Sequence, residues 1–149
     1  MPLTFHILAG VTVFHLTQNT IWGFIFAFLS HYFLDALLHQ DYSIRNIENR
    51  LWKKSLPDFS KAFLDIVFGF SMVFLINGCN IPILIAGWLA ILPDGFTLLY
   101  RIFPNNKLLA GHHKIHSLIN TIGENKKIPV LTRIVSQFVV GAIAICLLI

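Results

Sequence analysis

The chain has 149 residues, 56% of them hydrophobic and 12% charged, with a mean hydropathy of +0.72. Soluble domains carry about 25% charged residues, so this composition leaves too little polar surface for a water-soluble globule and excludes that class. The net charge of +4 sits in loops between apolar runs, which points to membrane topology rather than to a nucleic-acid partner.

The first apolar run, Pro2 to about Thr17, is short for a span, and Pro2 suits a helix start. With no charged segment and small-residue cleavage site before it, this helix is expected to stay in the mature protein. After the uncharged turn Gln18-Asn19-Thr20, the second run extends from Ile21 to about His39, long enough to span. A polar stretch from Gln40 to about Ser60 follows. Within it Ile44, Ile47, Leu51 and Trp52 recur at roughly helical spacing, as in an interfacial amphipathic helix or turn.

The third run, Phe59 to Ile76, ends at the turn Asn77-Gly78-Cys79-Asn80. The fourth, Ile81 to about Phe103, is interrupted by Pro93-Asp94-Gly95. A weaker fifth segment, Lys107 to about Ile122, carries three histidines and reads as a short helix at the interface. The last run, Ile128 to Ile149, is long enough to span. The expected fold is an all-α polytopic transmembrane helical bundle, one integral membrane domain over 1–149, with about five spans plus short interfacial helices.

Cytoplasmic loops carry the excess of Lys and Arg. Arg45, Arg50, Lys53 and Lys54 lie between runs two and three, and Arg101, Lys107, Lys114, Lys126 and Lys127 lie between runs four and six. The turns 18–20 and 77–80 carry none. One orientation in the inner or plasma membrane therefore collects the basic loops on one side, with the N-terminus cytoplasmic and the C-terminus outside. Cys79 and Cys146 match neither a zinc-knuckle spacing nor a disulfide framework.

Ionisable residues inside a membrane helix are costly and mark candidate sites. In the topology above His6, His31, Asp35, His39, Asp65, Asp94 and the cluster His112, His113, His116 all fall toward the cytoplasmic side; only His15 lies at the other end. His31, Asp35 and His39 are four apart and share a helix face, as do His112 and His116. Two ligands one turn apart can hold one metal ion. The expected metal ligands are His6, His31, Asp35, His39, Asp94, His112, His113 and His116. His112 and His113 compete, since helical geometry rarely aims both at one ion; His113 with His116 is preferred. Plainer readings stand beside these: His15 as an interfacial residue, His39 snorkelling at a helix end, Asp65 pairing with Lys61, and Asp94 capping at a kink made by Pro93. Imidazoles with carboxylates suit zinc above all, or manganese or iron.

The pieces Phe5-His6-Ile7-Leu8-Ala9-Gly10, Ser30-His31-Tyr32-Phe33-Leu34-Asp35, Leu92-Pro93-Asp94 and His113-Lys114-Ile115-His116-Ser117 resemble the membrane-bound metal-dependent hydrolase family, which includes LexA-regulated members. Here the His-x3-Asp motif comes first, and Lys114 stands where the family has Arg. The resemblance implies a metal-dependent hydrolase and metal roles for His6, His31, Asp35, Asp94 and His116. The expected activity is hydrolysis of a phosphoester or lipid headgroup at the cytoplasmic membrane face, with Asp35 and Asp94 as catalytic carboxylates. Membrane lipids and an anionic phosphoester substrate are the expected partners, drawn by Lys53, Lys54, Arg101 and Lys114. Two other classes stay open: a non-hydrolytic di-iron membrane oxygenase, and a non-enzymatic membrane protein that binds or carries metal.

Overall fold

The computed structural model describes residues 1–125 and 127–149. Lys126, counted above among the basic loop residues, lies outside the described residues. Among these residues every regular element is helical: α1 Leu3–Leu16, α2 Thr20–Ala36, α3 Arg45–Glu48, a 3-10 turn at Trp52–Lys54, α4 Leu56–Asn77, α5 Ile81–Ile102, α6 Lys107–Gly123 and α7 Val130–Leu148.

The first helix is the centre of the bundle. It is apolar on all sides, the pattern of a helix buried all round, and Ile7, Leu8 and Val11 are at most 1% exposed. It packs on α2, α4, α5 and α7. Gly10 lets it approach α5, since a Cβ there would collide with the Ala90 side chain. Its first turn is held by α4. The Asp65 carboxylate accepts from Leu3 N at 2.6 Å, from Thr4 N at 3.2 Å and from the Thr4 hydroxyl at 2.6 Å. Asp65 thus satisfies amide donors that a helix start leaves without partners. Lys61, the partner the spacing suggested, pairs instead with Asp58 at 3.6 Å.

Local chemistry sets the other boundaries. The Asn19 side chain caps α2 by accepting from Ile21 N and Trp22 N. The amphipathic stretch folds into α3 and the 3-10 turn, with Asp58 accepting from Asn46 N and Ile47 N. The fourth run is not broken at Pro93; α5 continues through it. Proline removes the bond to residue i−4 and its ring crowds that carbonyl, yet α5 carries Pro93 without a break. The second helix ends at Ala36, before the expected His39, and 37–44 forms no regular element.

At 1.5 Å per residue, α4 and α5 (22 residues each) and α7 (19 residues) reach about 29–33 Å, against a hydrocarbon core of about 30 Å. These three helices are long and apolar enough to cross a membrane. At 14 and 17 residues, α1 and α2 reach only about 21 and 26 Å, so five full-length spans are not present. Only 11% of the apolar window of α4 and 22% of that of α7 is buried, which leaves wide apolar faces suited to lipid.

Candidate metal centre

Four helices carry side chains to one buried point: His6 from α1, His31 and Asp35 from α2, Asp94 from α5 and His116 from α6. His31 Nε2 lies 2.9 Å from His116 Nε2. Asp35 Oδ2 is 3.2 Å from the first and 3.1 Å from the second. Asp94 Oδ1 is 3.4 Å from His116 Nε2 and 3.8 Å from His31 Nε2. His6 Nε2 is 3.2 Å from Asp35 Oδ1, and its ring stacks on His31 with centroids 4.1 Å apart. His6 and His31 are fully buried and Asp35 is 1% exposed. The Asp94 side chain, 35% exposed, is the part open to the cavity beside the cluster.

The residues fit a divalent cation. His31 Nδ1 lies 2.7 Å from the Ala90 carbonyl, which only accepts, so the ring carries its proton on Nδ1 and turns the Nε2 lone pair to the centre. His116 Nδ1 is 3.4 Å from the Thr97 hydroxyl. Two imidazole nitrogens 2.9 Å apart need a proton or a cation between them. Neither ring nitrogen of His6 has a hydrogen-bond partner although the residue is buried, a costly arrangement unless something else binds there. Nitrogen and carboxylate oxygen in this mixture suit zinc, manganese or iron without choosing among them.

Three expected ligands lie apart from this cluster. His39 leaves the His31–Asp35 face because α2 has ended. Its Nδ1 donates to the Leu37 carbonyl at 2.8 Å and its Nε2 faces Asp41 Oδ2 at 3.6 Å. His112 turns to the Tyr32 hydroxyl, 2.9 Å away, and packs edge-on against Phe96. His113, the preferred partner of His116, stacks on Tyr100 at 4.6 Å between centroids. His116 reaches the centre because its side of α6 faces the seam between α2 and α5.

Asp41 sits in a polar loop with no helical spacing to any histidine, so spacing gives no signal for it. The 37–44 segment folds back so that Asp41 Oδ1 lies 2.7 Å from the Met1 amino group, which is 3.1 Å from Asp35 Oδ1. Burial alone would raise the Asp41 carboxyl, but His39 and that amine hold it well below the usual carboxylate range. Burial likewise opposes a charge on His39, and Asp41 outweighs it, holding the imidazole above its ordinary value. Thr97 and Tyr32, which orient histidines, gave no signal in the sequence beyond being polar residues within apolar runs.

Beside the cluster lies a cavity of about 570 Å³, within the range of about 300–1,000 Å³ found for small-molecule sites. Its polar lining includes Asp35, Asp94 and His116 together with Asp41, Glu48 and Arg101. Comparison with protein-family models, with curated proteins and with solved structures finds no match to this chain.

Proposed function

We propose that the chain is a membrane-embedded metal-dependent hydrolase that cleaves a phosphoester at the cytoplasmic face. The observation that carries this reading is the convergence of His31 Nε2 and His116 Nε2 with the Asp35 carboxylate inside 3.2 Å, beside a cavity large enough for a substrate. The proposed orientation has the basic loops and the cluster in the cytoplasmic half, the N-terminus cytoplasmic and the C-terminus outside. The exposed apolar face of α2, Trp22, Phe26, Leu29 and Phe33, supports its contact with lipid.

His6, His31, Asp35, Asp94 and His116 would hold the ion. The chemistry supplied by a bound divalent cation is Lewis acidity and a water made acidic near neutral pH. The two carboxylates have different work. Asp35, whose oxygens lie 3.1–3.2 Å from the Nε2 atoms of His6, His31 and His116, would share the ion with these imidazoles. Asp94 faces the cavity and takes the proton of the attacking water. The water oxygen bonds to phosphorus, the ester P–O bond breaks, and the proton leaves on the departing alcohol oxygen. His116, fixed by Thr97, and His31, fixed by Ala90, keep their nitrogens on the centre through the reaction.

The test is metal content of the detergent-purified protein beside a His31→Ala, Asp35→Ala double variant, followed by a phosphoester screen. Stoichiometric zinc or manganese lost in the variant, with turnover lost in Asp94→Asn, is the expected result. Protein that stays metal-free after zinc, manganese and iron are offered overturns the reading. Iron, with no phosphoester turnover, would turn the assignment toward an oxygenase, which the same donor set accommodates.

A further inference from the structure

The cavity is amphiphilic, and its shape follows from how α4 and α5 diverge. The two helices leave the hairpin at 78–80 in contact, with Phe70 packed on Trp88 at 4.9 Å between centroids and a Cβ at Gly87 blocked by Phe70. Toward their other ends both helices line the cavity, which α3, α6 and the 41–44 segment close from the remaining sides. On α4 its wall is Phe59, Ala62 and Ile66; on α5 it is Trp88, Ile91 and Leu92. These residues recur at three- and four-residue spacing, so each helix turns one apolar stripe into the cleft. Along α5 the lining continues past Asp94 and Gly95 to Arg101. From Trp88 to Arg101 is about 20 Å at 1.5 Å per residue. An apolar end, a polar middle and a charged rim where Arg101 stands beside Glu48 and Glu124 thus follow one another down the helix.

Water is poorly accommodated by the apolar end, and most of the apolar window of each helix is unburied within the protein. The order of surfaces matches a lipid of the cytoplasmic leaflet, whose phosphate lies toward the basic side and whose chains run toward the midplane. Gly95 is part of this design. A Cβ there meets nothing within 4 Å, although glycine inside a helix costs about 1 kcal/mol relative to alanine. The missing side chain leaves room beside Asp94.

Resting on the hydrolase reading above, we propose that the substrate is a membrane lipid phosphate whose acyl chain lies in the α4–α5 cleft, with its phosphate at Asp94 and His116 and Arg101 at the rim. Ala62 and Gly95 then set the room for the chain.

Purified protein is irradiated with a phosphatidate that carries a diazirine in its acyl chain, and the adducts are mapped by peptide. Zinc content and turnover of a chain-free aryl phosphate are measured on the same samples. The expected adducts fall on the Phe59–Ile66 and Trp88–Leu92 segments. In Gly95→Phe, and separately in Ala62→Phe, labelling falls about tenfold, equivalent to roughly 1.4 kcal/mol of binding, while zinc content stays at the wild-type level. Adducts confined to the outer faces of α4 and α7, or labelling that neither variant reduces, overturn the proposal. Cleft labelling without turnover of any phosphoester supports the lipid site and removes the hydrolase reading. Aryl phosphate turnover without cleft labelling does the reverse.

Discussion

His31 Nε2 lies 2.9 Å from His116 Nε2 although 85 residues separate them. With the Nδ1 proton of His31 committed to Ala90, two lone pairs at that distance repel unless His116 carries a proton or a cation lies between them. A metal that binds the folded state alone stabilises it by about 2.7 kcal/mol at a hundredfold excess over its Kd. Zinc should therefore raise the melting temperature of the protein in detergent, and a chelator should reverse the shift. In His31→Ala the melting temperature should no longer respond to zinc. An equal response in wild type and variant would move the binding elsewhere.

The Asp65–Thr4 contact gives a second expectation. Asp65→Ala strips the first turn of α1 of its acceptor, and losses of this kind cost about 0.5–2 kcal/mol. Because α1 is the core of the bundle, the change should appear as a cooperative drop in thermal stability. Lys61→Ala, which removes a side chain half exposed at the rim, should leave the melting temperature nearly unchanged. Similar losses in both variants would count against the capping role.

Part of the cluster was legible in the sequence, but its full membership was not. His31 and Asp35 were legible because an i, i+4 pair on a helix is a local fact, and Asp94 because an acid beside Pro93 in an apolar run is conspicuous. The choice between His112, His113 and His116 depends on the rotation of α6 against α2 and α5, which only packing fixes. His39 was misplaced by three residues of helix end: α2 stops at Ala36, and the His39 amide instead donates to the Gly123 carbonyl at 3.3 Å. Asp41 and Asp65 act on chain segments distant in sequence, where spacing says nothing. The span count failed for a related reason. Apolar runs one and two are hydrophobic enough, but part of that hydrophobicity serves the protein core rather than lipid.

The His39–Asp41 pair makes stability depend on pH. His39 is held above its ordinary value by Asp41, so its contribution is fully present below about pH 6.5 and is lost as pH rises through the higher folded-state value. Comparing melting temperatures of wild type and His39→Gln between pH 6 and 9 isolates it. The advantage of wild type should shrink as pH rises, by no more than about 1 kcal/mol for a pair beside a solvent-accessible carboxylate. An advantage that grows with pH would contradict the ion pair.

Gly123 links the end of α6 to the end of α2. A Cβ at this position would collide with the Asp35 and Leu37 carbonyl oxygens and come within 2.6 Å of His39 Nδ1. Since backbone oxygen cannot rotate away, Gly123→Ala must shift α6, and His116 rides on that helix two turns earlier. Displacements of supporting groups cost about 10- to 100-fold in metal affinity, so zinc binding should weaken by that order while the fold persists. Gly111→Ala on the same helix adds its Cβ to open space and should bind zinc as wild type does, with stability equal or raised by about 0.5–1 kcal/mol. If both variants bind zinc normally, the contact between the two helix ends does not position His116.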